Sequence, residues 1–579
     1  MTKHVVKNAL ILLCCIIGLS GCESLENEGG KDFVKVRVII DQPAANSANQ
    51  SYSASSVLSA AIFAVPASVT VDTLDQIENA YDGQKQNLVD GTVILSVPLN
   101  EALKLVKLAF NEDHTLVYIL TSDPDPTAYG ISQQFTVTGA DEEKIINITM
   151  ATGVSWGGTV QYGTAGYFDV PLDMVLDSQG NIYLSGYARG DLDGQSNQAP
   201  GSDDVFITKF DPSGVKQWTK LFGTVGSENP HGAVIDSSGN IYVTGDTGAN
   251  EAIPPNTSFG NKDVFLAKYN SNGDKVYIKQ FGTADGETGM SLMIASNGKV
   301  YLVGNLNSSW PGFTNPSPPD NDIYIMNVDS DGTNMAIVEQ ASSTTPPGFN
   351  TEDRAEHAIM DSSNNIYITG VTGGTFTGTF VGGDNDAFFR KYDSDGTVLV
   401  EAQFGTSSNE SGVRLALDSA GNIYIVGATS GTFTGQTSAG AADFFLVKYN
   451  AGGTQQWLTQ FGSTDDDTDI YGLKVTDDGI VYFLAASVGD FPPNSNSDSS
   501  KLTKDIVLAK FNASTGAQIS VKTFGTIEED AATDMEVDSS GNILLTGMTN
   551  GSMDGTATPD SEGQNFLLKM DSDMNILTN

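Results

Sequence analysis

Apolar residues along this chain do not fall into helical stripes. They come as short runs, each ended by Gly, Asn, Asp, Ser or Pro, which is the pattern of strands separated by tight turns. Between Phe33 and about Thr152 the runs do not repeat. Their spacing predicts strands at Val34–Ile40, Ala60–Val65, Thr92–Val97, Leu103–Phe110, Thr115–Leu120, Gln134–Thr138 and Lys144–Met150. Seven short strands in such a stretch suggest a small β-sandwich over residues 33–151, immunoglobulin-like or transthyretin-like.

After Thr152 the pattern becomes periodic. Val234–Gly245 reads VIDSSGNIYVTG, and its centre returns as GNIY at Gly180, GKVY at Gly298, NNIY at Asn364, GNIY at Gly421, GIVY at Gly479 and GNIL at Gly541. The period is roughly 60 residues, long enough for a four-stranded unit. A second phrase, Phe-Gly-Thr, alternates with the first at Phe222, Phe281, Phe404 and Phe524, with Phe461-Gly462-Ser463 as a variant. Each period holds four strand signals, and seven such units predict a seven-bladed β-propeller over residues 152–579. Runs such as VYLVG (Val300–Gly304) lack polar alternation, as expected of strands packed on both faces. The last unit lacks its Phe-Gly-Thr strand, while an unpaired early version ends at Tyr162-Gly163-Thr164. Pairing that N-terminal strand with the last unit would close the ring and remove its open edge.

The first 21 residues read as a targeting segment. Lys3 and Lys7 precede an apolar run, Ala9–Ile17, too short to span a bilayer. It ends in Leu19-Ser20-Gly21-Cys22, which resembles a bacterial lipoprotein lipobox and implies cleavage before Cys22 and lipidation of its thiol. Cys14 and Cys15 would leave with the signal, so no disulfide is expected. Residues 22–32 form a polar tether, and acyl chains on Cys22 would hold the protein on a membrane. Glu23 takes the place of the Asp that, in enteric bacteria, resembles an inner-membrane retention signal, so an outer-membrane address in the cell envelope is expected.

Together the lipobox and the motifs D-x-x-G-N-I-Y-x-x-G, D-x-F-x-x-K-Y/F and W-x-x-x-F-G-T resemble those of bacterial seven-bladed β-propeller (SBBP) repeat lipoproteins, a family familiar in spirochaetes. The likeness covers the lipobox and residues 152–579. It departs at the third and sixth repeats, at Asn364 and at Ala341–Thr344, where Phe-Gly-Thr has become ASST. Such motifs speak for a fold and are nearly silent about activity.

Charge narrows the partners. With 29 basic and 71 acidic residues, a net −42, and only five Arg, a nucleic-acid partner is not expected. Gly at the first turn, replaced once by Asn364, points to a left-handed backbone and not to ligand contact. Asp236 and its equivalents precede that turn and are expected to accept its backbone N–H groups. Asp204, Asp263, Asp322, Asp386, Asp443 and Asp505 open third strands, and the strands carry a Lys at Lys209, Lys268, Lys391, Lys448, Lys510 and Lys569. These are read as structural ties between blades. His114, His231 and His357 show no metal-ligand spacing, so no metal and no cofactor is assigned. The acidic DSDG turns at Asp329 and Asp393 leave room only for a weak surface Ca²⁺ site. No catalytic constellation stands out.

Recognition is therefore expected in the long second-to-third-strand loops, Ala188–Asp203, Gly248–Lys262, Leu306–Asn321 and Ser487–Lys504. Trp310 is the candidate exposed anchor, and Arg189-Gly190-Asp191 is an RGD tripeptide of the kind host integrins read. The resulting reading is a lipid-anchored protein that binds a protein or glycan ligand at the cell surface, for instance as an adhesin for host matrix. A periplasmic scaffold, or a hydrolase or lyase acting on envelope polymers, is the alternative.

Overall fold

A computed structural model of the 579-residue chain divides it at Trp156/Gly157 into two units. Up to residue 158 it describes only seven strands, by their backbone; from 159 onward it describes all but 164–166, 314–320, 344–351, 377–382, 492–502, 527, 552, 554–563 and 578–579. The signal (1–21), the tether (22–32) and Cys22 lie outside the described residues, as does His114. Among those residues no helix is long and apolar enough to cross a membrane.

The first unit carries Val36–Asp41, Ala60–Ile62, Val93–Leu95, Val106–Phe110, Leu116–Thr121, Gln133–Phe135 and Lys144–Thr149, one at each expected position. The first pairs parallel with the last. The second runs parallel to the fourth, which is antiparallel to the fifth. The third pairs antiparallel with the sixth.

In the second unit, Gly157–Thr578, seven four-stranded antiparallel sheets follow one another. Blade two is typical, with strands Asn229–Ile235, Ile241–Asp246, Val264–Tyr269 and Lys275–Phe281. Its second strand, IYVTGD, is buried along its whole length, because each sheet is sandwiched between two others and neither face meets water. Only the outer strand starts exposed, at Lys275 and Val276. The innermost strands touch in ring order, and the first (Asp169–Leu176) packs against the last (Asp530–Val537). Closure comes as expected. Thr159–Tyr162 completes blade seven, pairing Tyr162 with Asn565 and Thr159 with Leu568.

The repeated phrase is a hairpin. Oδ1 of Asp236 accepts the N–H groups of Ser238 and Asn240 at 2.9 Å each, and Oδ2 accepts Asn240 Nδ2 at 2.7 Å. Burial works against the Asp236 charge, but these bonds and Lys268 prevail and hold its carboxyl below the ordinary range. Gly239 sits at φ 77°, and Asn364, the substitute in blade four, at φ 65°, so the turn selects for a left-handed backbone. The third-strand lysines tie blades together. Lys268 Nζ lies 4.7 Å from the Tyr242 ring centre and donates to Ser330 O of blade three at 3.1 Å. Lys209, Lys448 and Lys510 make the same reach to the next blade, to Ser271, Ala513 and Ser572.

Candidate functional site

Antiparallel blades put the short first and third turns on one face of the ring. The long loops share the other face with the connections between blades, to which they bond, as in Glu228 N to Asp203 O and Asn307 N to Gly286 O. Each loop begins by turning an apolar side chain back into the ring. Leu192, Trp310, Phe376, Phe433, Phe491 and Met553 hold the same place, and Ile253 does so in blade two. A glutamine just before Phe-Gly-Thr clamps that turn. Gln403 Oε1 accepts Phe376 N at 3.1 Å, while its Nε2 donates to Gly374 O at 2.8 Å and to Asp386 at 2.9 Å. Gln280, Gln340 and Gln460 repeat the pattern.

This corrects the reading of Trp310 as an exposed anchor. The residue is 3% exposed, packs edge-on to Tyr324 at 5.8 Å, and gives its N–H to Gln340 Oε1 at 3.2 Å. Its indole is the blade-three version of the repeated loop plug, which a single loop read alone does not disclose. Among the described residues, the large hydrophobic side chains that this face exposes are Tyr167, Val225 and Phe259. In the blade-one loop, Arg189 pairs with Asp203 at 2.7 Å, Gly190 is buried, and Asp191 is exposed while its Oδ1 accepts Asn197 N at 2.9 Å.

Where one blade passes to the next, Phe-Gly-Thr meets an acid. Thr224 donates its N–H to Glu228 Oε2 at 2.8 Å and its hydroxyl to Oε1 at 2.7 Å. Asp204, at the head of the third strand, reaches the same point. A Cβ on Gly223 would lie 2.3 Å from Asp204 Oδ1 and 2.5 Å from Glu228 Oε2, so glycine here answers to two carboxylates approaching its Cα and not to a turn.

Each inner strand has a bulge, and the residue after it commonly reaches the neighbouring blade's backbone. Asp173 accepts from Ala233 N, Asp534 from Met174 N at 2.8 Å, Ser291 from Ala358 N at 3.0 Å and His357 Nδ1 from Leu415 N at 3.3 Å. Burial and then repulsion from Asp534 push the Asp173 carboxyl well above its ordinary range. Lys474 and Glu536 pair beside them at 2.8 Å, with the lysine still 35% exposed to the channel. His357 is held neutral by burial and by Arg414 and Lys474.

One cluster breaks the repeat. Asp246 stands where other blades hold Tyr187, Asn305, Val371, Ala428, Ala486 or Met548. It is 2% exposed and takes His231 Nε2 at 2.8 Å, Lys262 Nζ at 3.0 Å and Asn229 Nδ2 at 3.3 Å. His231 and Lys262 remain 29% and 44% exposed. A carboxylate orienting an accessible imidazole can support proton transfer. Comparing the second-strand ends would have flagged Asp246 from sequence. Asp173 and Asp534 come from opposite ends of the repeat sequence, and no local signal joins them. Among the described residues no group of three or more His, Cys, Asp or Glu could hold a metal. In the DSDG turns, Asp331 accepts from Thr333, and Asp393 from Asp395 N and Thr397 N.

The second unit is thus a seven-bladed β-propeller, closed by its own N-terminal strand. Residues 217–251, from the outer strand of blade one to the long loop of blade two, match the SBBP β-propeller repeat. Regulatory protein FlaEY of Caulobacter vibrioides is 29% identical over 204 residues, which cover 32% of this chain and 21% of that protein. The matched part is thus about a fifth of that relative's length. Among solved structures, polysaccharide lyase Uly1 is 10% identical with TM-score 0.41, covering 69% of this chain and 90% of its own. Quinohemoprotein alcohol dehydrogenase from Comamonas testosteroni is 12% identical with TM-score 0.35, covering 71% and 76%. Virginiamycin B lyase from Staphylococcus aureus is 10% identical with TM-score 0.38, covering 71% and 98%. None of the three lends this chain its chemistry.

Proposed function

We propose that this is a binding protein of the bacterial cell envelope, tethered to the outer membrane through a lipidated Cys22, in the manner of the SBBP-repeat lipoproteins it resembles. It takes a protein or glycan ligand on the long-loop face, and host matrix is the ligand class for a surface-displayed form. One observation carries the reading. One face of the ring consists of short turns built alike, whereas the other bears long loops of different composition, each pinned at its base by a buried or partly buried apolar plug and most also by a glutamine clamp. A rigid base with unlike tips is a recognition surface.

Protease shaving of intact cells followed by solid-phase binding to a matrix and glycan panel tests this. Removal of the propeller and saturable binding support it. Full protection from protease points to a periplasmic scaffold instead. A second reading, a hydrolase or lyase for envelope polymers, draws on His231 and Asp246 at the channel mouth. It requires turnover that His231→Ala abolishes.

A further inference from the structure

The acid pair at Gly223 recurs around the ring. Asp263 and Glu287 converge on Gly282, Asp386 and Glu410 on Gly405, Asp443 and Asp467 on Gly462, and Asp505 and Asp530 on Gly525. Asp322 and Asp353 form the blade-three version, where serine replaces the glycine. All of these acids are buried. At the first junction the two oxygens lie within about 5 Å, where like charges strongly perturb each other. No hydrogen bond reaches Oδ1 of Asp204 or of Asp263, although both are buried. The seventh junction, between blades seven and one, is built differently. There Gln564, an uncharged amide, faces Gly163 in the place the aspartate holds elsewhere, and Asp169 is the lone acid.

We infer that each of the six acid–acid junctions holds one proton shared between its two carboxyl groups, making the ring of junctions a pH-sensitive latch beneath the loop face. Gln564 carries no charge, so the seventh junction holds a single acid where the other six hold two. Losing the shared proton leaves two buried negative charges side by side. Asp204 faces Asp203 and Glu228, and Glu228 faces Asp204 and Glu251. Glu287 faces Asp263 and Asp285, Asp353 faces Asp322, Glu410 faces Asp386, Asp467 faces Asp443, and Asp530 faces Asp505. Arg189 and Lys262 are turned to Asp203 and Asp246.

Titration agrees with the geometry. Burial, then neighbouring carboxylates, raise Glu228 to about 7 and Asp204 and Asp353 to about 6. A carboxyl group raised in the folded state contributes stability that is complete below its unfolded value. That contribution is lost as pH rises through the folded value, here about 6 to 7.

The test is calorimetry of the full mature chain from pH 5 to pH 8.5, in chelator and again in millimolar Ca²⁺, beside the triple variant Glu228→Gln, Glu287→Gln, Glu410→Gln. The wild type should lose several degrees of Tm with rising pH, and the variant should lose less than half as much. An equal slope in both, a wild-type Tm that rises with pH, or an alkaline loss abolished by Ca²⁺ would overturn the proposal. Potentiometric titration of the native wild type needs no variant. It should show protons, beyond those of the histidines, released across about pH 6 to 7, where Glu228, Asp204 and Asp353 lose theirs, and the absence of that release would equally overturn it.

Discussion

Replacing Trp310 by alanine separates a structural plug from a ligand anchor. The indole is almost wholly buried among Tyr242, Leu292, Leu302, Leu306 and Tyr324. Its Nε1 has no hydrogen-bond partner to lose, and the backbone bond to Gln340 survives the substitution. The cost is therefore lost burial plus a cavity, about 3–5 kcal/mol. At about 2.1 cal/mol/K per residue, the unit Gly157–Thr578 unfolds with an entropy of roughly 0.9 kcal/mol/K. Trp310→Ala should then lower Tm by about 3–6 °C, whereas Trp310→Phe, which keeps most of the volume, should cost under about 1.5 kcal/mol. Scanning calorimetry, paired with binding below Tm, reads both effects. A Tm unchanged within about 1 °C together with lost binding would refute the reasoning and restore Trp310 as an anchor.

Three further outcomes follow from the same geometry. Gly223→Ala drives a methyl into two carboxylates and should cost about 2–4 kcal/mol in urea unfolding. Gly298→Ala, with nothing within 4 Å but φ +83°, should cost only about 1–2 kcal/mol. Gln403→Leu strands the Phe376 N–H and the Gly374 carbonyl and takes one donor from Asp386. That should cost about 2–4 kcal/mol, and limited proteolysis should cut the loop after Phe376 faster. Deleting residues through 163 exposes Gln564–Met570 as an open edge and should cause self-association in size-exclusion chromatography. Deletion through 156 should leave a monomer, so identical elution of the two forms would contradict ring closure by that strand.

Much of the fold is legible in the sequence because its causes are local. The Gly-to-Asn364 exchange states a backbone requirement, and the lone early Tyr162-Gly163 states the need for a fourth strand. The site is less legible. Trp310 looks like an exposed aromatic when its loop is read alone. Aligned with Phe376, Phe433 and Phe491 it becomes a repeated core residue. The aspartate heading six of the seven third strands is visible, as is an acid a few residues past Phe-Gly-Thr. That the two meet at one glycine depends on how adjacent blades pack, which no spacing records. His231 and Asp246 lie on neighbouring strands of one hairpin, and only the broken repeat marks them.

The ring divides into a repeated scaffold and a face of unlike loops, and binding is proposed for the latter. The most direct test exchanges surface residues on each face in turn, keeping charge. One protein receives the tips of its loops at 193–196 and 254–258 from two other blades, and a second receives exchanged first-turn residues at 237–238 and 419–420. Tm and binding to the matrix and glycan panel are measured for both. The account predicts that the loop exchange abolishes binding at unchanged Tm, while the turn exchange leaves binding intact. Binding that survives the loop exchange and is lost with the turns would place recognition on the opposite face and contradict it.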